Sequence, residues 1–129
     1  MDVLSSRVLL RPTNLGRSHH FYGQVLGLAE YRQFGNPDNP GVVYFIGNGL
    51  LEVSGHGDAG EDQPVSLWLQ VRDVDAEHER LQHEDVTIIR PPVTEPWGLR
   101  EMWLADPDGV RIAVVEVPDD HPLRRDQRP

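Results

Sequence analysis

The residues of this chain whose types and spacing could do chemistry lie on alternating positions of short apolar runs. Arg7, Leu9 and Arg11 alternate with Val8 and Leu10, so a strand there shows the first set on one face. The same alternation opposes Glu52 and Ser54 to Leu51 and Val53, and Ser66, Trp68 and Gln70 to Leu67, Leu69 and Val71. Arg111, Ala113 and Val115 oppose Ile112 and Val114, and Glu101 and Trp103 complete the mixed face. A face meant only for solvent rarely carries two Trp. Aromatic walls stack flat ligands and favour cations over their rings, while a few convergent polar groups fix orientation. That reading makes Trp68 and Trp103, with Trp97 and Tyr44, the candidate lining, and Glu52, Glu101, Arg7 and Arg111 the polar anchors. Glu52 and Glu101 are also the acid–base candidates, since burial raises a carboxyl pKa toward neutrality. Arg7 or Arg111 would then stabilise an oxyanion.

The histidines do not join this set. His19, His20, His56, His78, His83 and His121 all fall off the mixed face. His78-Glu79 followed by His83 has a faint likeness to a zinc-protease helix, but residues five apart do not share a helical face. All six read as surface or partly packed side chains.

Composition removes several chemistries. The 12 basic residues are all Arg, and there is no Cys. Without Lys there is no Schiff base and no phosphate-loop lysine. Without Cys there is no thiol nucleophile, thiolate metal site or disulfide. A formal net charge of −9 argues against nucleic acid, which requires a basic face. No stretch approaches the ~20 apolar residues of a membrane span. Met1 to Ser6 has no basic region followed by an apolar run, so no secretory leader is expected, and the cytoplasm is the expected compartment.

The elements that must position the mixed face follow from periodicity and punctuation. Arg7 to Arg11 reads as a strand ended by Pro12. Asn14 or Gly16 opens a helix to about Leu26, with Phe21, Val25 and Leu28 at helical spacing and Gly27 as its stop. Strands follow at 29–34, 42–46 and 50–54, the last two joined by Gly47-Asn48-Gly49. After a polar segment from Gly55 to Pro64 the pattern restarts. A strand covers 65–71, and Asp73 or Asp75 caps a helix to about His83. A strand at 86–89 is expected to break at Pro91-Pro92; strands at 100–105 and 110–117 flank the tight turn Asp106-Pro107-Asp108-Gly109. The chain is thus a single α+β domain over 1–129, made of two β-α-β-β-β modules at about 7–54 and 65–117, repeating every ~60 residues. Residues 55–64 are the linker, and 118–129 are a polar tail expected to fray, with docking through Arg124 and Arg125 as the alternative.

With these elements in order, the chain resembles the vicinal oxygen chelate superfamily, which includes glyoxalase I, extradiol dioxygenases and bleomycin-resistance proteins. The resemblance runs from about Arg7 to Val117. It rests on Ser18-His19-His20-Phe21-Tyr22, Val25-Leu26-Gly27-Leu28 and Leu51-Glu52-Val53 in the first module. In the second it rests on Val71-Arg72-Asp73-Val74-Asp75-Ala76, Pro96-Trp97-Gly98 and Asp106-Pro107-Asp108-Gly109. Pro96-Trp97-Gly98 followed by Arg100-Glu101 is most similar to the bleomycin-resistance branch.

The resemblance implies paired βαβββ modules closing a cup-shaped, eight-stranded mixed sheet with helices on its outer face. It also implies a homodimer, closed or module-exchanged. Metal-dependent members place ligands at positions that here are Arg7, Glu52, Ser66 and Ala113. Only Glu52 is a competent ligand, because an Arg does not deprotonate and Ala offers no donor. No divalent metal and no other cofactor is therefore expected. In its place Arg7 is expected to pair with Glu52, with Ser66 as third partner. The implied function is metal-independent binding of a small molecule, an aromatic or cationic natural product held stoichiometrically. Glu52, Ser66, Trp68, Trp97, Glu101, Trp103, Arg7 and Arg111 would be its contacts. The alternative is an enzyme of the same superfamily, a glyoxalase-like lyase or dioxygenase-like protein, using Glu52 as ligand or base. A regulatory domain without a small ligand has no specific residue in its favour.

Overall fold

The computed structural model describes residues 1–58 and 65–121. The first module runs β1 (Val8–Leu10), α1 (Leu15–His19), a π-helical turn (His20–Val25), β2 (Glu30–Phe34), β3 (Gly41–Ile46) and β4 (Gly49–Val53). The second runs β5 (Leu67–Val71), α2 (Val74–Leu81), β6 (Thr87–Thr94), β7 (Arg100–Ala105) and β8 (Arg111–Glu116). The strands form two four-stranded mixed sheets of identical topology, β1-β4-β3-β2 and β5-β8-β7-β6. In each, two hairpins bring the last strand back beside the first, and the helical crossover lets that pair run parallel. The fold is the expected α+β repeat.

Two compact units result. One holds β1–β4 together with the turn Pro107–Gly109; the other holds β5–β8 and α2. The turn joins the first unit because the Asp108 carboxylate accepts from the Thr13 backbone N–H at 3.2 Å and from the Thr13 hydroxyl, with Arg17 3.4 Å away. Residues 59–64 of the linker and 122–129 of the tail, including Arg124 and Arg125, lie outside the described residues.

Alternation places the core of each sheet. Val8, Leu10, Val42, Tyr44, Leu51 and Val53 share one face of the first sheet through the registers Val8↔Leu51, Leu10↔Val53, Val42↔Val53 and Tyr44↔Leu51. Tyr44, Leu51 and Val53 are fully buried there. Each such side chain contributes about 1.5–3 kcal/mol of burial. Leu67, Leu104, Ile112, Met102 and Val114 do the same for the second sheet, with Val74 and Leu81 of α2 buried as well.

Asn14 is the cap of α1, its carbonyl oxygen accepting from the Arg17 N–H at 2.9 Å. The α-helix expected to reach Leu26 ends at His19; a π-helical turn continues to Val25, with the Leu26 N–H donating to Phe21 O at 2.8 Å. Buried Ser18, Phe21, Tyr22 and Val25 suit either helix over so short a span, so the apolar pattern does not separate them. Gly27 then ends the helix at φ +72°, the left-handed conformation a Cβ disfavours. In the second module Asp73 caps α2, accepting from the Ala76 N–H at 3.0 Å, and the helix stops at Leu81, short of His83.

The expected break at Pro91-Pro92 does not occur: β6 continues through both prolines to Thr94. β6 is an edge strand, and its pairing with β7 shifts register between Ile88 and Arg90 and again between Arg90 and Val93. A missing N–H is harmless on an edge or within a bulge.

Candidate functional site

On the first sheet the face opposite the helix carries Arg7, Leu9 and Arg11 from β1 and its flanks, and Glu52 and Ser54 at the end of β4. β3 and β2 add Val43, Phe45, Arg32 and Phe34 through the registers Val43↔Glu52, Arg32↔Val43 and Phe34↔Gly41. Arg7 Nη1 donates to Glu52 Oε1 at 3.0 Å, so the expected pair forms. Arg11 Nη1 donates to Glu52 Oε2 at 3.2 Å and to Ser54 Oγ at 2.7 Å, and the Ser54 hydroxyl donates to Oε2 at 2.7 Å. The hydroxyl serving Glu52 is therefore that of Ser54, its neighbour two residues on along β4. Ser66 is exposed just before β5. The hydrogen bond from Ser54 holds the Glu52 carboxyl below its ordinary pKa, with further lowering from Arg7 and Arg11 against the opposing effect of burial.

Tyr44 does not line this face. It points to the helix side, where its hydroxyl meets His19 Nδ1 at 2.9 Å. His19 Nε2 lies 2.8 Å from Pro40 O, which only accepts, so Nε2 carries the proton and Nδ1 accepts from the Tyr44 O–H. Burial pushes the Tyr44 pKa up to about 12, with a smaller contribution from Glu30. A Cβ at Gly23 would stand 3.4 Å from Tyr44 Oη, so a glycine there lets the helix pass close over the ring. Arg32, Phe34 and Phe45 were not singled out by sequence. The i, i+2 spacing of Arg32 and Phe34, which puts both on one strand face, was the available signal; the guanidinium lies 5.6 Å from the Phe34 ring centroid.

On the second sheet the corresponding face carries Trp68, Gln70, Glu101, Trp103, Ala113 and Val115, as the alternation predicted. Trp68 is half exposed, while Trp103 packs on a cluster of Leu99, Ala113, Val115 and Val117. Glu101 is buried, and its Oε2 accepts from Trp97 Nε1–H at 2.6 Å. Arg90 Nη2 donates to Glu101 O at 3.1 Å and pairs with Glu95. The loop bearing Trp97 is closed by Glu95 N–H to Leu99 O at 2.8 Å and Gly98 N–H to Glu95 O at 2.9 Å. Gly98 sits at φ +93°, and His121 Nε2 donates to Trp97 O at 3.0 Å. Trp97 is thereby anchored through its ring nitrogen while 58% of its surface stays exposed. Arg111 is exposed at the start of β8.

The four positions to which the resemblance assigns metal ligands, Arg7, Glu52, Ser66 and Ala113, carry one carboxylate between them. Glu52 is bonded to two guanidiniums and a hydroxyl, Arg7 is a cation, and Ala113 offers a methyl group. Asp73, Asp75 and Glu116 bring carboxylate oxygens within 4.8 Å of one another, on the helix side of the second sheet. Asp73 caps α2, Glu116 accepts the Val74 N–H at 3.0 Å, and Asp75 takes a bidentate pair from Arg100 at 2.8 Å. Those two hydrogen bonds from Arg100 hold the Asp75 carboxyl below its usual range and raise Arg100 in turn.

Residues 5–114 match the model of the Glyoxalase/Bleomycin resistance protein/Dioxygenase superfamily. The chain belongs to this superfamily. Solved structures share its fold. TioX from Micromonospora sp. ML1 is 22% identical, with a TM-score of 0.72 over 88% of this chain and 95% of that one. TnmS3, an antibiotic binding protein from Streptomyces sp. CB03234, is 21% identical, with a TM-score of 0.71 over 91% and 100%. A glyoxalase-related enzyme from Fulvimarina pelagi is 25% identical, with a TM-score of 0.70 over 90% of each chain. One fold thus carries an antibiotic binding protein and a glyoxalase-related enzyme, and the residues at the site must decide between such roles. No curated protein matches this chain.

Proposed function

We propose that this superfamily member binds a small aromatic natural product stoichiometrically and without a metal. The observation that carries the reading is the state of Glu52. The one metal-competent side chain at the family's ligand positions is bonded to Arg7, Arg11 and Ser54. The second sheet supports it with Trp97, anchored by Glu101 and exposed, and with half-exposed Trp68. A rigid indole presents stacking area at little entropic cost. TnmS3, an antibiotic binding protein of the same fold, fits this role. Trp103, Ser66 and Arg111 complete the proposed contacts. The working form is proposed to be a cytoplasmic homodimer; no described helix is long and apolar enough to cross a membrane.

The test is titration of chelator-treated protein with a panel of naphthalene, quinoline and acridine acids, amides and amines, followed by Trp fluorescence and calorimetry. Saturable binding of at least one panel compound at one site per chain is expected, with Kd of about 1 μM or tighter. It should be unchanged by EDTA and weakened at least fivefold in Trp97→Ala. Conversion of a bound compound, or binding that requires an added divalent ion, would overturn the proposal.

A further inference from the structure

The open face of the first sheet has a charge opposite to that of the whole chain. The protein carries a formal net charge of −9. Yet among the strand-paired residues of this face and its flanking Arg7, Arg11 and Ser54, Glu52 is the one acid, against Arg7, Arg11 and Arg32. Arg7 and Arg11 are four residues apart, so their Cα atoms are roughly 13 Å from each other along an extended chain. Their Nη1 atoms nonetheless lie 3.0 and 3.2 Å from the two oxygens of one carboxylate. Glu52 therefore gathers two guanidiniums without neutralising both. A guanidinium has five N–H donors in a rigid fork. Beyond the bonds to Glu52 and Ser54, the donors of Arg7 and Arg11 have no partner among the described residues. Both side chains keep a third or more of their surface open to solvent. Leu9, between them on β1, is 51% exposed, and Phe45 on β3 is 41% exposed.

We infer that this face holds the acidic end of an aromatic carboxylate. The inference rests on the small-molecule reading above and narrows it to an anionic ligand. The free edges of Arg7 and Arg11 donate to the carboxylate oxygens as charge-assisted hydrogen bonds. Leu9 and Phe45 offer apolar contact to the body of the ligand, and Arg32, held against Phe34, adds a third cation. One carboxylate balances the single excess charge left by Arg7 and Arg11 over Glu52. An ammonium group at the same place would meet the like charges of Arg7 and Arg11, with three of the roughly four acceptor sites of Glu52 already taken.

Three probes of one shape and different charge test this: 2-naphthoate, 2-naphthamide and 2-naphthylmethylammonium. Binding is measured by calorimetry and by ¹H–¹⁵N spectra of the arginine Nε–Hε groups. The expected result is that 2-naphthoate binds at least tenfold more tightly than the amide and shifts the Arg7 and Arg11 resonances. Arg11→Gln should weaken 2-naphthoate at least fivefold while leaving the amide unchanged, with partial rescue in Arg11→Lys. Arg7→Gln is a second variant should the first unfold, and circular dichroism reports that. Equal binding of acid and amide, or undiminished naphthoate binding in folded Arg11→Gln and Arg7→Gln, overturns the inference. Preferential binding of the ammonium probe with Trp quenching also overturns it but leaves the small-molecule reading standing. Saturation by none of the three overturns it too, and the wider panel then decides the small-molecule reading separately.

Discussion

Glu52, which the family resemblance assigns to a metal-ligand position, lies instead in a hydrogen-bonded charge cluster with Arg7, Arg11 and Ser54. Its side chain is 12% exposed, and its partners are 34% and 45% exposed, so screening keeps the ion pairs modest. Glu52→Gln should lower stability by about 1 kcal/mol, read as a shift of the urea midpoint at pH 7. The carboxyl is held below its ordinary pKa of 4.5, so the folded state binds that proton more weakly than the unfolded one. Its contribution is complete above the ordinary value and is lost as pH falls through the folded one. The wild-type and Glu52→Gln midpoints should therefore converge in acid; curves that stay parallel down to pH 3 would contradict this. Tyr44 gives the opposite sign. With its pKa raised to about 12, its contribution is full below pH 10 and declines as pH climbs toward 12. The difference in absorbance at 295 nm between wild type and Tyr44→Phe should appear only in that upper range. Alternation put Arg7 and Glu52 on one predicted face, and the family resemblance is what made them expected partners. It did not reveal Ser54 as the hydroxyl partner, since two hydroxyls on predicted same-face positions look alike until the i, i+2 neighbour is seen in reach. Tyr44 was misplaced for a related reason: in the run Val42-Val43-Tyr44-Phe45 every residue is apolar, and no polar alternation marks the face.

At the level of elements, punctuation was more informative than periodicity. Asn14 or Gly16 and Asp73 or Asp75 were readable as caps, of which Asn14 and Asp73 serve, and Gly27 as the stop, because each does a job few residue types do. Gly27→Ala meets no atom within 4 Å, so its cost is conformational alone. It should amount to roughly 1 kcal/mol in thermal or urea unfolding. The π-helical turn left no comparable mark, because its buried residues also satisfy an α-helical stripe. Pro91-Pro92 was read as a break when it is a bulged edge; strand order, which sequence does not display, decides whether a missing donor matters. Asp108 belongs to the turn between β7 and β8 yet bonds to Thr13 and Arg17. Asp108→Ala should cost roughly 1–3 kcal/mol of stability, since it strands a backbone N–H and a hydroxyl. A loss below a few tenths of a kcal/mol in urea unfolding would mean water replaces the carboxylate fully.

For the whole molecule, the repeated β-α-β-β-β order was legible because two modules reproduce the same turns and caps, and it fixes two four-stranded sheets of like topology. Function was less legible, since one fold serves antibiotic binding in one relative and a glyoxalase-related enzyme in another. What separates the cases is the donor set, and that is a property of side chains rather than of topology. Sedimentation equilibrium should give twice the 14.6 kDa chain mass if the proposed homodimer forms. The most direct measurement is calorimetric titration of chelator-treated protein with Zn²⁺, Ni²⁺, Mn²⁺ and Fe²⁺, repeated on Glu52→Ala. No site-stoichiometric heat is expected with any of the four. Tight one-to-one binding of one of them, abolished in Glu52→Ala, would contradict it and bring the lyase and dioxygenase chemistries to the front.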